Sequence, residues 1–272
     1  MLTEPTLDKL KELSLYGMAD TYLQQRRTPS EGDLSFEDRF GLLVDAEWML
    51  RQNKRLKRRL SEAKLRLSNA AVEDVETAPA RGLERAVLLR LASCVFVTDN
   101  LNILISGATG TGKTFLACAL AQQACRKGYH ALYRRASRLY EEMALARADG
   151  TYPKLLSRLL RVDVLVLDDF GLASMRDADR QGLLDVLEDR HGNSSTIVTS
   201  QLPPRTWYEY LGDPTVADSI CDRLLHTAHR VELKGPSRRR PESRTASREN
   251  STADVSDAAG GTGSRSPTSR TA

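Results

Sequence analysis

From residue 5 to about residue 75 the apolar positions recur at helical spacing, with no alternation of the strand kind. Leu7, Leu10, Leu13 and Leu15 begin one helix, and a longer pattern runs from Phe36 to Leu67 with Ser35 as its N-cap. Between Asn69 and Gly82 the periodicity lapses into AAVEDVETAPARG, punctuated by Pro79 and Gly82, which predicts a domain boundary. From about residue 83 the pattern changes. Short apolar or β-branched runs at Asn102–Ser106, Ala131–Arg134, Val162–Leu167, Ser195–Ser200 and Arg230–Leu233 are mostly separated by helical stretches. Such alternation predicts an α/β fold, a mainly parallel sheet with helices on both faces. The last stretch is Ser, Thr, Arg, Ala and Gly with Val255 as its only large apolar residue, so it cannot bury enough surface to offset its ordering entropy. The expected organisation is a small all-α domain over 1–78, an α/β domain over 79–235 and a disordered tail over 236–272.

Composition narrows the class. The chain has 272 residues, 40% hydrophobic and 28% charged, enough for a substantial core. No uncharged apolar stretch approaches the roughly 18 residues of a membrane span; the best candidate, Val87 to Val97, is short and carries Arg90. The N-terminus, MLTEPTLDKL, lacks the basic-then-apolar order of an export signal, so a cytoplasmic protein without a membrane partner is expected. Cys94, Cys118, Cys125 and Cys221 form no CxxC pair and have no His at ligand spacing, and they read as buried thiols. His130, His191, His226 and His229 form no catalytic constellation.

The formal net charge of +4 divides into about +1 over residues 1–90, 0 over 91–235 and +3 over 236–272, so no domain is basic as a whole and attraction to polyanions has to come from local clusters. One stands out. Arg51, Lys54, Arg55, Lys57, Arg58, Arg59, Lys64 and Arg66 crowd into sixteen positions with Glu62 as the only acid, while Leu56, Leu60, Ala63 and Leu67 keep an apolar stripe. Such a helix can dock and still project cations, either as a solvated face or as a track for a phosphate backbone. Tyr16, Tyr22, Phe36, Phe40 and Trp48 in the same region read as core residues.

The sharpest chemical signal is Gly107-Ala108-Thr109-Gly110-Thr111-Gly112-Lys113-Thr114, which fits GxxxxGK[ST] directly after the strand Asn102–Ser106. Phe115 to Lys127 reads as the helix that follows, with Gly128 placed to stop it. Glycines let the loop wrap phosphates with its own amides, and the helix N-terminus adds partial positive charge. Lys113 would reach the β- and γ-phosphates of ATP, and the Thr114 hydroxyl would ligate Mg²⁺. The run VDVLVLDD then ends a strand on two carboxylates: Asp168 to hold the magnesium ion and Asp169 to orient or deprotonate the attacking water.

With these motifs in view, the runs GATGTGKTFLACALAQQA, VDVLVLDDFG and STIVTSQLPPRTWYEYLGDPTVADSICDRLLHTAHRVELKG resemble the IstB-like ATPases, transposition helpers of bacterial insertion sequences and relatives of the DnaC helicase loader within the AAA+ superfamily. FEDRFGLLVDAEWMLRQNKRLKRRLSEAKL is also similar to that family, so the resemblance spans roughly residues 5 to 240. It implies an AAA+ ATPase that self-assembles on duplex DNA through Arg51, Lys54, Arg55, Lys57, Arg58 and Arg59 and engages a cognate transposase. It implies a sensor of the γ-phosphate at Ser200 or Gln201. Arg223 would enter a neighbouring subunit's site; the alternative is a surface ion pair with Asp218 or Asp222. Asp169 stands where many AAA+ proteins have Glu. Arg239, in a segment that approximates a lid-side motif, is either a nucleotide contact or the start of a basic tail. A DnaC-like loader and a non-hydrolysing remnant are the rival readings.

Overall fold

The computed structural model describes residues 4–27, 34–226 and 228–238, which belong to one compact unit spanning Met1–Arg238. Of the expected tail over 236–272, the part from residue 239 onward, Arg239 included, lies outside the described residues. Three helices open the chain: α1 (Glu4–Glu12), α2 (Tyr16–Arg27) and α3 (Phe36–Ala63). Helices α4 (Arg85–Ala92) and α5 (Val95–Thr98) lead into β1 (Ile103–Gly107) and α6 (Lys113–Arg126), followed by β2 (Ala131–Arg135), α7 (Ala136–Ala148) and α8 (Tyr152–Leu160). Then come β3 (Val164–Phe170), α9 (Asp177–Arg190), β4 (Ser195–Ser200), α10 (Trp207–Leu211), α11 (Pro214–Leu225) and β5 (His229–Leu233).

The five strands form one sheet in the order β2-β3-β4-β1-β5, and every neighbouring pair is parallel. Side chains alternate between two cores. Ile103, Ile105, Val164, Val166 and Ile197 meet α6 and α4 on one face. Leu104, Leu165, Leu167 and Val198 meet α7, α9 and α11 on the other. Burying each such aliphatic side chain contributes about 2 kcal/mol, and the two faces explain why these strands read as nearly unbroken apolar runs.

Three expectations change at the amino-terminal part. Helix α3 is capped by Ser35, whose hydroxyl accepts from the Asp38 amide, but it stops at Ala63 because Lys64 turns left-handed at φ 50°. The chain therefore leaves the helical phase: Leu65, with Leu56 and Leu60, packs on the sheet's α6 side, and Leu67 is exposed. The aromatics are not core. Tyr16, Phe36, Phe40 and Trp48 are all exposed, and Tyr22 is half-buried, because α3 presents a wider apolar stripe than the single helix α2 covers. The third change concerns the expected boundary. Val72–Asp74 and Pro79–Arg81 form short 3-10 turns, Ala70 is buried, and the Lys234 amide donates to the Arg81 carbonyl at 2.9 Å, so this segment is stitched to the α/β part.

Arg190 ties the sheet's other end. Its guanidinium is buried and donates to the carbonyls of Leu159 (2.7 Å), Val162 (2.9 Å) and Ser195 (2.6 Å). Burial lowers its pKa to about 10, so it stays charged at neutral pH. Arg190→Met would strand several buried acceptors at once. Urea denaturation is expected to show a loss of about 3 kcal/mol, and Arg190→Lys to recover little of it, since an ammonium cannot span the same acceptors.

Candidate functional site

The site lies at the carboxyl ends of β1, β3 and β4. Gly107 ends β1 with φ +145°, where a Cβ would come within 2.2 Å of the Leu233 carbonyl oxygen on β5, so only glycine lets the chain turn there. Gly112 starts α6 with φ +101°. Between them the loop is held from outside: Arg81 donates to the Thr111 carbonyl at 3.0 Å, and the Arg238 amide donates to the Gly110 carbonyl at 2.9 Å. Lys113 is buried and its ammonium donates to the carbonyls of Gly107 and Ala108, each at 2.8 Å.

Strand β3 carries both acids within its length rather than just past its end. Its pairing with β4 shifts register between Leu167 and Phe170, and Asp169 takes a left-handed φ of 59°, the signature of an extra residue accommodated in a bulge. Asp168 falls on the same face as Val164 and Val166 and has no exposed surface. Its carboxylate accepts from the Thr114 hydroxyl at 2.9 and 3.1 Å, the Thr199 hydroxyl at 2.6 Å and the Tyr133 hydroxyl at 2.6 Å. Burial and the bond to Asp168 push the Tyr133 phenol well above its ordinary range, which keeps it a donor. Asp169 pairs with Arg135 at 3.0 Å and with Arg66 at 3.8 Å, and its amide donates to Thr199 Oγ1 at 3.0 Å.

The two sensor candidates separate. Ser200 donates to the Phe170 carbonyl at 2.8 Å and is buried in that role. Gln201 accepts from the Thr109 hydroxyl at 2.7 Å, in direct contact with the phosphate loop. The donor chemistry fits a magnesium nucleotide: glycine amides and a lysine for phosphate, and hard oxygen donors on Thr114 and Asp168 for the metal.

Arg223 lies elsewhere. Its carbonyl accepts from Asn102 at 2.8 Å, at the start of β1, while the phosphate loop follows the other end of that strand, about 16 Å along. Its guanidinium pairs with Glu188, not with Asp218 or Asp222. Of the cations singled out on α3, Lys54, Arg55, Lys57 and Arg58 are exposed and Arg59 is half-buried. Arg51 is paired with Glu47 at 2.7 Å and Arg58 with Glu62 at 2.8 Å. Arg66, counted with that run in the sequence, belongs instead to the acid pair. Tyr133, Arg135 and Thr199 escaped the sequence reading altogether; position 135 is aligned with Asp168 across β2 and β3, a relation visible only once the strand order is known.

Four cysteines are buried thiols, and no helix among the described residues is long and apolar enough to cross a membrane. Compared with known proteins, the chain matches the IstB-like ATP binding protein family over residues 8–246. It is 45% identical over 244 residues to an insertion sequence ATP-binding protein of Sinorhizobium fredii, covering 90% of this chain and 99% of that one. It is also 45% identical over 206 residues to an insertion sequence ATP-binding protein of Pseudomonas fluorescens, covering 76% and 89%. Among solved structures, the DnaC helicase loader aligns with a TM-score of 0.50 at 22% identity over 61% of this chain and 97% of that one, a likeness of fold. The chain thus belongs to the IstB-like ATP-binding proteins, with the parallel sheet and phosphate loop of the AAA+ fold.

Proposed function

We propose that this protein is a transposition helper: an ATPase that assembles on duplex DNA and engages a cognate transposase. The observation that carries the ATPase half is the convergence at the carboxyl end of the sheet of the phosphate loop, the buried Asp168 bonded to Thr114, and Gln201 touching Thr109. In this reading the loop amides and Lys113 hold the triphosphate, and Asp169 takes the proton from a water attacking the γ-phosphorus, giving ADP and inorganic phosphate. Bound magnesium, held by Thr114 and Asp168, would neutralise phosphate charge. Gln201 would report the γ-phosphate to the loop.

Arg223 supports assembly because it is a strand's length from its own loop, so its guanidinium would serve the loop of another copy. The exposed cations of α3 support a phosphate-backbone track. Transposase engagement is supported by the insertion-sequence relatives named above.

Four outcomes are expected. ATP turnover falls below detection in Lys113→Ala and in Arg223→Ala, yet mixing the two restores part of it, because an intact Lys113 site can borrow an intact Arg223; mixed assemblies without recovery would remove the shared site. Thr199→Val deprives Asp168 of a charge-assisted hydrogen bond of about 1.5–3 kcal/mol, so turnover drops roughly tenfold to a hundredfold with nucleotide affinity within about twofold. Duplex binding weakens steeply with salt. Replacing Arg55 and Lys57 together with Ala is expected to flatten the log–log salt slope by about 2, and an unchanged slope in a filter-binding titration would move the DNA track off α3.

A further inference from the structure

Arg66 is the one cation of the basic run that pairs with the carboxylates of β3. It sits three residues past the end of α3, on a segment anchored on both sides: Ala63 is fully buried and Leu65 packs against the same core, and the amide of the buried Ala70 donates to the Leu67 carbonyl at 3.2 Å. From there its guanidinium reaches both carboxylates, Asp168 at 3.6 Å and Asp169 at 3.8 Å, beside the Tyr133 hydroxyl that is itself bonded to Asp168. Its side chain remains 44% exposed, so it arrives from the solvent edge rather than from the core.

The acids it bridges are hard to hold. Two adjacent carboxylates repel one another, and Asp169 occupies a left-handed backbone conformation that a non-glycine residue adopts at some cost. Arg135 secures Asp169 from β2, but among the described residues only Arg66 has an ion pair with both acids at once.

The geometry points to Arg66 as a positioning residue for the Asp168–Asp169 pair, and through its place at the end of α3 as the link by which what α3 binds reaches the water-activating carboxylate. Four exposed cations, Lys54, Arg55, Lys57 and Arg58, lie on α3 within three turns of its end at Ala63. A backbone phosphate docked on them pulls on a helix whose end, through the left-handed Lys64, leads directly into the segment that carries Arg66. Coupling to DNA rests on the duplex-binding reading above; positioning does not.

The test compares full-length Arg66→Gln and Arg66→Lys with wild type. It measures kcat and KM for ATP with and without duplex DNA, fluorescent-nucleotide affinity, thermal midpoint, and deuterium exchange over residues 164–170. Arg66→Gln is expected to lower kcat about tenfold with KM and nucleotide affinity within about twofold. It is also expected to bring the ratio of DNA-stimulated to basal turnover close to one and to raise exchange over 164–170, while Arg66→Lys recovers part of each. Unchanged kcat and exchange in Arg66→Gln overturn positioning. A loss that runs in step with nucleotide affinity and thermal midpoint also overturns it, as a folding effect. If wild type itself ignores duplex DNA, the DNA reading and the coupling both fall, and kcat still decides the positioning role. If wild type turns over no ATP, the hydrolysis reading falls and exchange over 164–170 decides.

Discussion

A carboxylate shut away from water has to be answered by donors, because leaving it unpaired would cost several kcal/mol. Asp168 is answered by three hydroxyls, each from a different segment: Thr114 at the start of α6, Tyr133 on β2 and Thr199 on β4. One buried charge thus fixes the distance between the phosphate loop's helix and the strands on either side of β3. The sheet order is what makes this possible. With β2 and β4 flanking β3, the hydroxyl of Tyr133, two positions before Asp168's partner on β2, and that of Thr199, opposite the bulge on β4, can converge on the same carboxylate. Moving any one of these strands would break the coordination of the acid before it disturbed much apolar packing.

The parts of this arrangement written in contiguous sequence were legible. The loop Gly107–Thr114 and the acids of β3 announce themselves because their chemistry depends on local spacing, and the five strands do so because burial on both faces makes them continuously apolar. The parts that depend on neighbours were not. Tyr133 looks like an ordinary strand residue, and Thr199 stood one place before the polar pair weighed as sensors. Arg66 was hidden by arithmetic: extending α3's period to Leu67 puts Arg66 on its outer basic face, whereas a left-handed Lys64, with no glycine to flag it, swings the same residue onto the acids.

The exposed aromatics of α3 mark a different limit. Periodicity predicts that a stripe exists, not how much of it a neighbour covers. Phe36, Phe40, Val44 and Trp48 recur every four residues and are all exposed. The side of α3 that meets α2 is fixed instead by close approach: a Cβ on Gly17 would lie 2.7 Å from the Ala46 carbonyl oxygen, and the buried Glu47 carboxylate accepts the Gly17 amide at 2.7 Å. A polar clasp and a missing side chain, rather than the aromatic stripe, set that helix pair.

The two ends of the sheet differ in what they need from outside. At the carboxyl end the loop, the acids, Gln201 and Arg66 all come from one chain, so that edge can be organised before any partner arrives. Arg223, at the amino end, has no phosphate loop of its own within reach and is held meanwhile by Glu188. In the proposed assembly that ion pair must break for Arg223 to serve a neighbour, and because it is partly solvent-exposed its loss costs only about 1 kcal/mol or less. Contact with a triphosphate in a low-dielectric site returns more than that. On the proposed reading the balance would favour the shared site only when nucleotide is present, so that assembly would follow nucleotide without any large rearrangement of the subunit. By linkage, whatever factor nucleotide contributes to assembly, assembly contributes to the affinity for nucleotide.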